Sequence, residues 1–376
     1  MIDWKQVEQE TADLLTEYIS INTLNPPGNE AEAAEFLSRE LAARGMESEK
    51  IITGENRVNL ISRLPGSGSE GSVILLHHMD TVPADPEKWD TVPYKGIIRN
   101  GFVRGRGALD MKGAGVMHLA ALNLLRQYHP ERRRDVVFLA VADEETGGRL
   151  GTQRLLEDYP EKLKADFVWD EGGFGLKDFF GPAPVFTIAV GEKQELWLEL
   201  SCEGEPGHGG MPKDGNPAEV LTAALARLQK GSPFPVKLHP VAREMFRKIA
   251  RTLGFPKSFF LNNIGTPGIG RWIRKQLAAN TFITGVTRNT MSITALSAGS
   301  NFNMIPGKAS AKIDVRLLPG ENPDTVISRI KKRINDPRVN VVLHHSPQES
   351  SVSSRETLLY RTLESVIPEL VPGAAV

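Results

Sequence analysis

The stretch ILLHHMDTVP, residues 74–83, decides how the chain is read: an apolar run of strand length ends in two histidines and an aspartate. In open α/β sheets ligands gather outside the carboxyl ends of the strands, so polar side chains that terminate an apolar run are candidates for chemistry. Period-two alternation puts His78 and Asp80 on one face and His77 on the other. His78 is therefore the candidate metal ligand, Asp80 the carboxylate that would accept from its second ring nitrogen, and His77 an ordinary strand residue.

The neighbouring segments supply the rest of such a sheet. Residues 4–19 and 30–45 have helical periodicity, separated by the loop INTLNPPGN, and RVNLISRLPG reads as a strand. GALDMKGAGVMHLAALNLLRQY has a glycine-rich start and a long apolar helix. DVVFLAVADEE follows as a strand, GTQRLLEDY as a helix and ADFVWDEGG as a strand. Strands alternating with helices predict helices packed on a largely parallel sheet.

Three further strand or helix boundaries carry acids. Asp110 stands at the mouth of the glycine-rich helix start, where a lone carboxylate complements the helix dipole and a bidentate one bridges two metal ions. RGRGALDMKG also contains G-x-G, but its third glycine is misplaced for a dinucleotide fingerprint. Glu144 and Glu145 are adjacent acids that repel one another unless a cation or proton is shared. One would ligate while the other takes a proton as general base. Asp143 beside them reads as a solvated acid. Glu171 is the preferred acid of WDEGG, with Asp170 as its alternative. Together His78, Asp110, the glutamate pair and Glu171 predict a two-metal site of oxygen and nitrogen ligands, suited to Zn²⁺ with Co²⁺ or Mn²⁺ as substitutes.

The texture changes near residue 184. PVFTIAVGEKQELWLELSCEG reads as a strand pair, NPAEVLTAALARLQKG as a helix, and MSITALSAG and KASAKIDVRLLPG as strands. NPDTVISRIKKRI is a second helix and VNVVLHHSP a closing strand. Two helices on a small, mostly antiparallel sheet make an inserted second domain, with a helix-rich excursion over residues 231–285. The expected division is a first catalytic part at 1–188, an α+β lid at 189–348 and a returning catalytic segment from 349 to 376.

Composition bounds the function. At 376 residues the chain exceeds the usual size of one hydrophobic core, and its net charge of −1 offers nothing to nucleic acid or a membrane surface. Its one cysteine excludes an intrachain disulfide and a cysteine-rich zinc cluster. The acidic, helical start is unlike a secretory signal, and no apolar run is long enough to span a bilayer. The expected setting is cytoplasmic.

HMDTVP, GRGALDMKG, ADEETGG and WDEGG, in this order, resemble the signature of the M20 family of co-catalytic metallopeptidases, and EKWDTVPYKGIIRNGFVRGRGALDMKG and TALSAGSNFNMIP are most similar to its carboxypeptidase S and N-acyl-amino-acid hydrolase branch. The resemblance implies a zinc-peptidase-like α/β catalytic domain with an inserted lid that dimerises in many relatives. It makes His78 and Glu171 ligands of one metal, Asp110 the bridge, Glu145 a ligand of the second metal, Glu144 the general base and Asp80 the residue that orients His78. GEPGHGG resembles the family's lid histidine motif, so His208 would stabilise the oxyanion. NMIP and DVR would make Asn303 and Arg316 substrate ligands. On residues alone His208 is a loop histidine and Arg316 a strand surface charge. The implied reaction is hydrolysis, by a metal-bridged hydroxide, of an amide in a small peptide or N-acyl amino acid with a free carboxylate.

One departure sets a second expectation. The resemblance calls for a last histidine ligand near the C-terminus, and no histidine follows His345. His344 and His345 lie in the closing lid strand. The chain then reads as a C-terminally truncated form or fragment, with apolar surface exposed. The alternative function is a non-catalytic metal- or peptide-binding protein, and a nucleotide-binding α/β protein is disfavoured by the lack of a phosphate loop.

Overall fold

A computed structural model of the chain describes residues 2–178, 181–276, 280–346 and 352–376. Packing divides it into two compact units, Met1–Gly172 and Gly173–Val376. The sequence reading had set the first boundary at 188/189; its boundary at 348/349 lies outside the described residues.

The first unit opens with α1 (Trp4–Ser20), whose Asp3 side chain caps the N–H groups of Lys5 and Gln6. Next come α2 (Ala31–Ala43), β1 (Glu49–Gly54), β2 (Arg57–Leu64), β3 (Ser72–His78) and a small hairpin of β4 (Ile97–Arg99) and β5 (Phe102–Arg104). The unit is completed by α3 (Lys112–Tyr128), β6 (Asp135–Val141), α4 (Thr152–Asp158) and β7 (Phe167–Trp169). The sheet order is β1-β2-β6-β3-β7. β3 runs parallel to both β6 and β7, while β2 is antiparallel to both β1 and β6. Four of the five strands thus share a direction, as the alternating helices predicted, and β2 alone runs against them. β1 escapes sequence reading because Ile51 is its one buried residue.

Alternation sorts the two faces. Leu60, Leu75 and Phe138 face α1, α2 and α3, whereas Ile74, Leu76, Val137, Leu139 and Val141 face Leu155 of α4. His77 shares the face of Leu75. It is fully buried, with its Nε2 3.3 Å from the Tyr18 hydroxyl and its ring 5.1 Å from that of Phe138. α3 closes over it at Gly115, where an added Cβ would lie 2.4 Å from His77 Cδ2. The ring therefore serves packing, as its place on the strand implied.

The second unit begins with β8 (Gly175–Leu176) and β9 (Val185–Phe186), which pair with one another. β10 (Gln194–Glu203), β11 (Gly207–His208) and α5 (Pro217–Gln229) follow, then α6 (Pro240–Ala250), α7 (Lys257–Asn262), α8 (Ile269–Gln276) and α9 (Thr281–Thr287). β12 (Thr290–Ala298), β13 (Met304–Ile305), β14 (Lys308–Leu317), α10 (Pro323–Ile334), β15 (Asn340–His345) and α11 (Leu358–Leu370) complete it. The antiparallel sheet β12-β14-β10-β15 packs α5 and α10 over Leu198, Leu200, Ile313 and Val315. Both helices start on an asparagine cap followed by proline. The residues read as one strand pair, 184–204, instead join different sheets, because β10 takes β14 and β15 as partners. The helical excursion has its own core around Phe246, Ile249 and Ile273. The segment after residue 351 joins that core: the Ala375 carbonyl accepts from Phe186 N at 2.7 Å, and Lys248 pairs with Glu364.

Two outcomes follow for the first unit. Gly115→Ala should cost about 1–3 kcal/mol by overpacking against His77, more than the helix propensity gain of about 1 kcal/mol. Urea denaturation should show that cost largely vanish in a His77→Ala background; equal costs in both backgrounds would discard the contact. Burial lowers His118 from 6.5 to about 4. Between those values the unfolded chain binds a proton that the folded chain does not, so stability falls as pH drops through the window. His118→Gln should reduce that fall by roughly 2 kcal/mol between pH 7 and 4, and an unchanged fall would refute the assignment.

Candidate metal centre

The parallel register brings three strand ends to one edge. His78 of β3 pairs with Val141 of β6, and Leu75 with Trp169 of β7. The chain beyond Val141 turns at once into a short 3-10 segment carrying Glu144 and Glu145, and the chain beyond Trp169 carries Glu171. Asp110 arrives from the start of α3. There the buried Lys112 donates from Nζ to the carbonyls of Tyr18 and Ile21, at 3.0 and 2.8 Å, and ties the helix start to the end of α1.

His78 lies at the bottom of the site. Its side chain is 1% exposed, whereas those of Asp110, Glu144 and Glu171 are 60%, 48% and 39% exposed. Nδ1 is 2.9 Å from the Asp80 carbonyl oxygen, which can only accept, so Nδ1 carries the proton and Nε2 faces the acids. Nε2 is 2.9 Å from Asp110 Oδ1, 3.7 Å from Glu171 Oε2 and 3.9 Å from Glu144 Oε2. The donor atoms of His78, Asp110 and Glu171 all lie within 4.8 Å of one another. The Asp170 Oδ1 accepts the Glu171 N–H at 2.7 Å.

Asp80 faces His78 Nδ1 and also holds the glutamate turn. The contact to His78 runs mainly through its carbonyl, and its carboxylate is 3.5 Å from Nδ1. Its Oδ1 accepts the Glu144 N–H at 3.1 Å and its Oδ2 the Glu145 N–H at 3.0 Å, so it carries the backbone of both glutamates. Asp143, expected as a solvated acid, is buried. It adopts a left-handed conformation with φ 69°, which aspartate tolerates, and its carboxylate accepts from Leu150 N at 2.9 Å and Thr146 Oγ1 at 2.5 Å.

The electrostatics are those of a site short of positive charge. Burial works against a charged His78, yet the hydrogen bond to Asp110 and the nearby carboxylates of Asp80 and Glu171 push it up to about 12. Burial, then the charges of Glu171, Glu145 and Asp80, raise Glu144 to about 7. Burial and the charge of Asp110 also raise Glu145, whose Oε1 is buried with no hydrogen-bond partner. An imidazole nitrogen, several carboxylates and an orphaned acceptor form a donor set that fits a divalent cation such as Zn²⁺.

The lid candidates lie in the second unit. β11 and β13 bring His208 and Asn303 together: Gly209 N donates to the Asn303 carbonyl at 2.7 Å, and His208 Nδ1 accepts from Gly210 N at 3.0 Å. Both side chains are exposed. Arg316, offered above to a substrate carboxylate, already faces two carboxylates. Its Nε lies 3.1 Å from both Asp314 oxygens, and its Nη1 pairs with Glu195, its cross-strand neighbour. Sequence reading missed Asn25, Glu30 and Arg57, which form a buried polar chain behind the centre. No local signal marked them.

Comparison with known proteins finds relatives in sequence and in fold. The pattern of Peptidase family M20/M25/M40 matches residues 74–269. The N-fatty-acyl-amino acid synthase/hydrolase PM20D1 of Mus musculus is 32% identical over 331 residues, 82% of this chain and 64% of that protein. The chain therefore spans a little under two thirds of that relative's length. Aminoacylase-1 of Sus scrofa is 27% identical, over 84% of this chain and 67% of its own. Among solved structures, the M20 family metallo-carboxypeptidase Sso-CP2 from Sulfolobus solfataricus superposes with a TM-score of 0.71 at 20% identity, covering 97% of this chain and 85% of its own, a likeness of fold.

Metal addition gives a direct check on the cluster. Relative to chelator-treated protein, Zn²⁺ at a hundredfold excess over its Kd should stabilise the fold by about 2.7 kcal/mol, read as a rise in Tm. Asp110→Asn should lose most of that rise; an undiminished rise would mean that the ion binds elsewhere.

Proposed function

Because this chain belongs to peptidase family M20/M25/M40, we propose that it is a zinc-dependent hydrolase of an amide bond in a small peptide or N-acyl amino acid with a free carboxylate. The observation that carries the reading is the buried His78 Nε2 beneath Asp110, Glu144 and Glu171 at the carboxyl ends of parallel strands. In this reading His78, Asp110, Glu145 and Glu171 hold the metal. When bound, the metal would polarise the scissile carbonyl and make water acidic enough to attack near neutral pH.

The side chains divide the remaining work. The buried, unpartnered Oε1 of Glu145 suits a ligand. Glu144 is half-exposed and lies 3.9 Å from His78 Nε2, which suits the base. It takes the proton of the attacking water and returns it to the leaving amine, so that the acyl–nitrogen bond breaks to give a carboxylic acid and an amine. His208 would supply a hydrogen bond to the developing oxyanion, and Asn303 and Arg316 would meet the substrate. For Arg316 that role requires it to release Asp314 or Glu195. A second copy of the chain, meeting it through the lid in the second unit, and a cytoplasmic setting belong to the same proposal. Among the described residues no helix is long and apolar enough to cross a membrane.

The test is a panel of N-acyl amino acids and dipeptides offered to the zinc-loaded complete protein. Glu144→Gln should lower kcat by roughly 10²–10⁴-fold while the bound zinc, measured by elemental analysis, stays unchanged. Full activity in that variant would remove Glu144 from the mechanism. Bound zinc without turnover of any substrate by the wild type would replace the hydrolase with a binding protein.

A further inference from the structure

The backbone of Glu144 and Glu145 hangs from the Asp80 carboxylate, whose Oδ1 also faces His78 Nδ1 at 3.5 Å and whose Oδ2 accepts from Asn25 Nδ2 at 2.7 Å. Asn25 is 2% exposed and lies in the loop between α1 and α2. The same Nδ2 is 3.3 Å from Asp143 Oδ1 and 3.2 Å from Thr146 Oγ1. One amide nitrogen therefore stands between two buried carboxylates at either side of the glutamate turn. Its Oδ1 accepts from Arg57 Nη2 at 2.8 Å, so the amide can be turned only one way, because a guanidinium supplies donors alone and a carboxylate acceptors alone.

Arg57 is in turn fixed. Nη1 donates to Glu30 Oε1 at 2.7 Å and Nη2 to the Pro27 carbonyl at 2.7 Å, and the guanidinium lies 3.4 Å from Asp143. The loop sits directly on the guanidinium at Gly28. That residue has φ +88°, and an added Cβ would fall 1.8 Å from Arg57 Cζ. The chain of contacts Glu30–Arg57–Asn25–Asp80 thus runs from β2 and the α1–α2 loop to the glutamate turn, and its members are at most 7% exposed.

We propose that Asn25, held by Arg57, is a positioning residue that sets where Glu144 and Glu145 stand relative to His78. The inference rests on the metal-hydrolase reading above. Without the amide, Asp80 and Asp143 lose the donor between them and repel, and the turn bearing the glutamates is released from one of its anchors. Orientation of groups around a metal by residues behind them is worth roughly 10–100-fold in metal affinity or activity.

The experiment uses the complete protein and two readouts, zinc affinity by chelator competition and steady-state kinetics on the best N-acyl amino acid or dipeptide. Asn25→Ala should fold, lose roughly 10–100-fold in zinc affinity and a similar factor in kcat, and keep KM within about threefold. A role in stability alone would lower Tm and leave both quantities at wild-type values, and that result overturns the proposal. If Asn25→Ala does not fold, Arg57→Lys decides. It keeps the charge beside Glu30 but loses the planar fork, and should lower zinc affinity and kcat by about tenfold in a folded protein; wild-type values there also overturn the proposal. If the wild type binds zinc but hydrolyses nothing, the hydrolase reading falls, and zinc affinity alone judges Asn25.

Discussion

His78 is buried among acids: Asp110 at 2.9 Å, with Glu171 and Glu144 within 4 Å of the same nitrogen. Such a concentration of negative charge in a partly dry site is costly unless a cation or a proton is held among the oxygens. The first unit is arranged to make the crowd possible. Three parallel strands end together, α3 delivers Asp110 with its start tied down by Lys112, and Asp80 carries the glutamate turn by its backbone rather than by its side chains. The proton that His78 keeps up to about 12 occupies the place that a divalent ion would take with more charge.

Much of this was legible in the sequence because apolar runs ending in His, Asp or Glu are a local signal. ILLHH, VFLAV and FVW each state a strand, and the polar residues at or just beyond its end state where to look for the site. The packing role of His77 follows from the alternation along β3. The edge strand β1 was invisible because its burial rests on one isoleucine. Asp143 was misread because nothing in ADEE distinguishes an acid that caps its own turn from one that faces water.

The polar chain behind the centre was illegible for a different reason. Asn25 reads as a loop residue before prolines, Glu30 as the first acid of a helix and Arg57 as a surface charge at a strand start. Their meaning comes from contacts that join residues 55 and 118 positions apart in the chain. In the second unit, Arg316 shows the same limit. Its guanidinium is claimed by Glu195 across the ladder and by Asp314 on its own strand face, a competition that strand pairing creates and local sequence does not display.

The manner in which Asp80 carries the turn has a consequence for how such a site can change over time. Its oxygens grip the N–H groups of Glu144 and Glu145, and every amino acid except proline offers the same N–H. The scaffold therefore does not depend on which side chains project from positions 144 and 145. Chemistry at those positions is free to drift, be lost or be reinvented while the frame that presents it stays put, and inactive descendants of such a protein would inherit the architecture of the site intact.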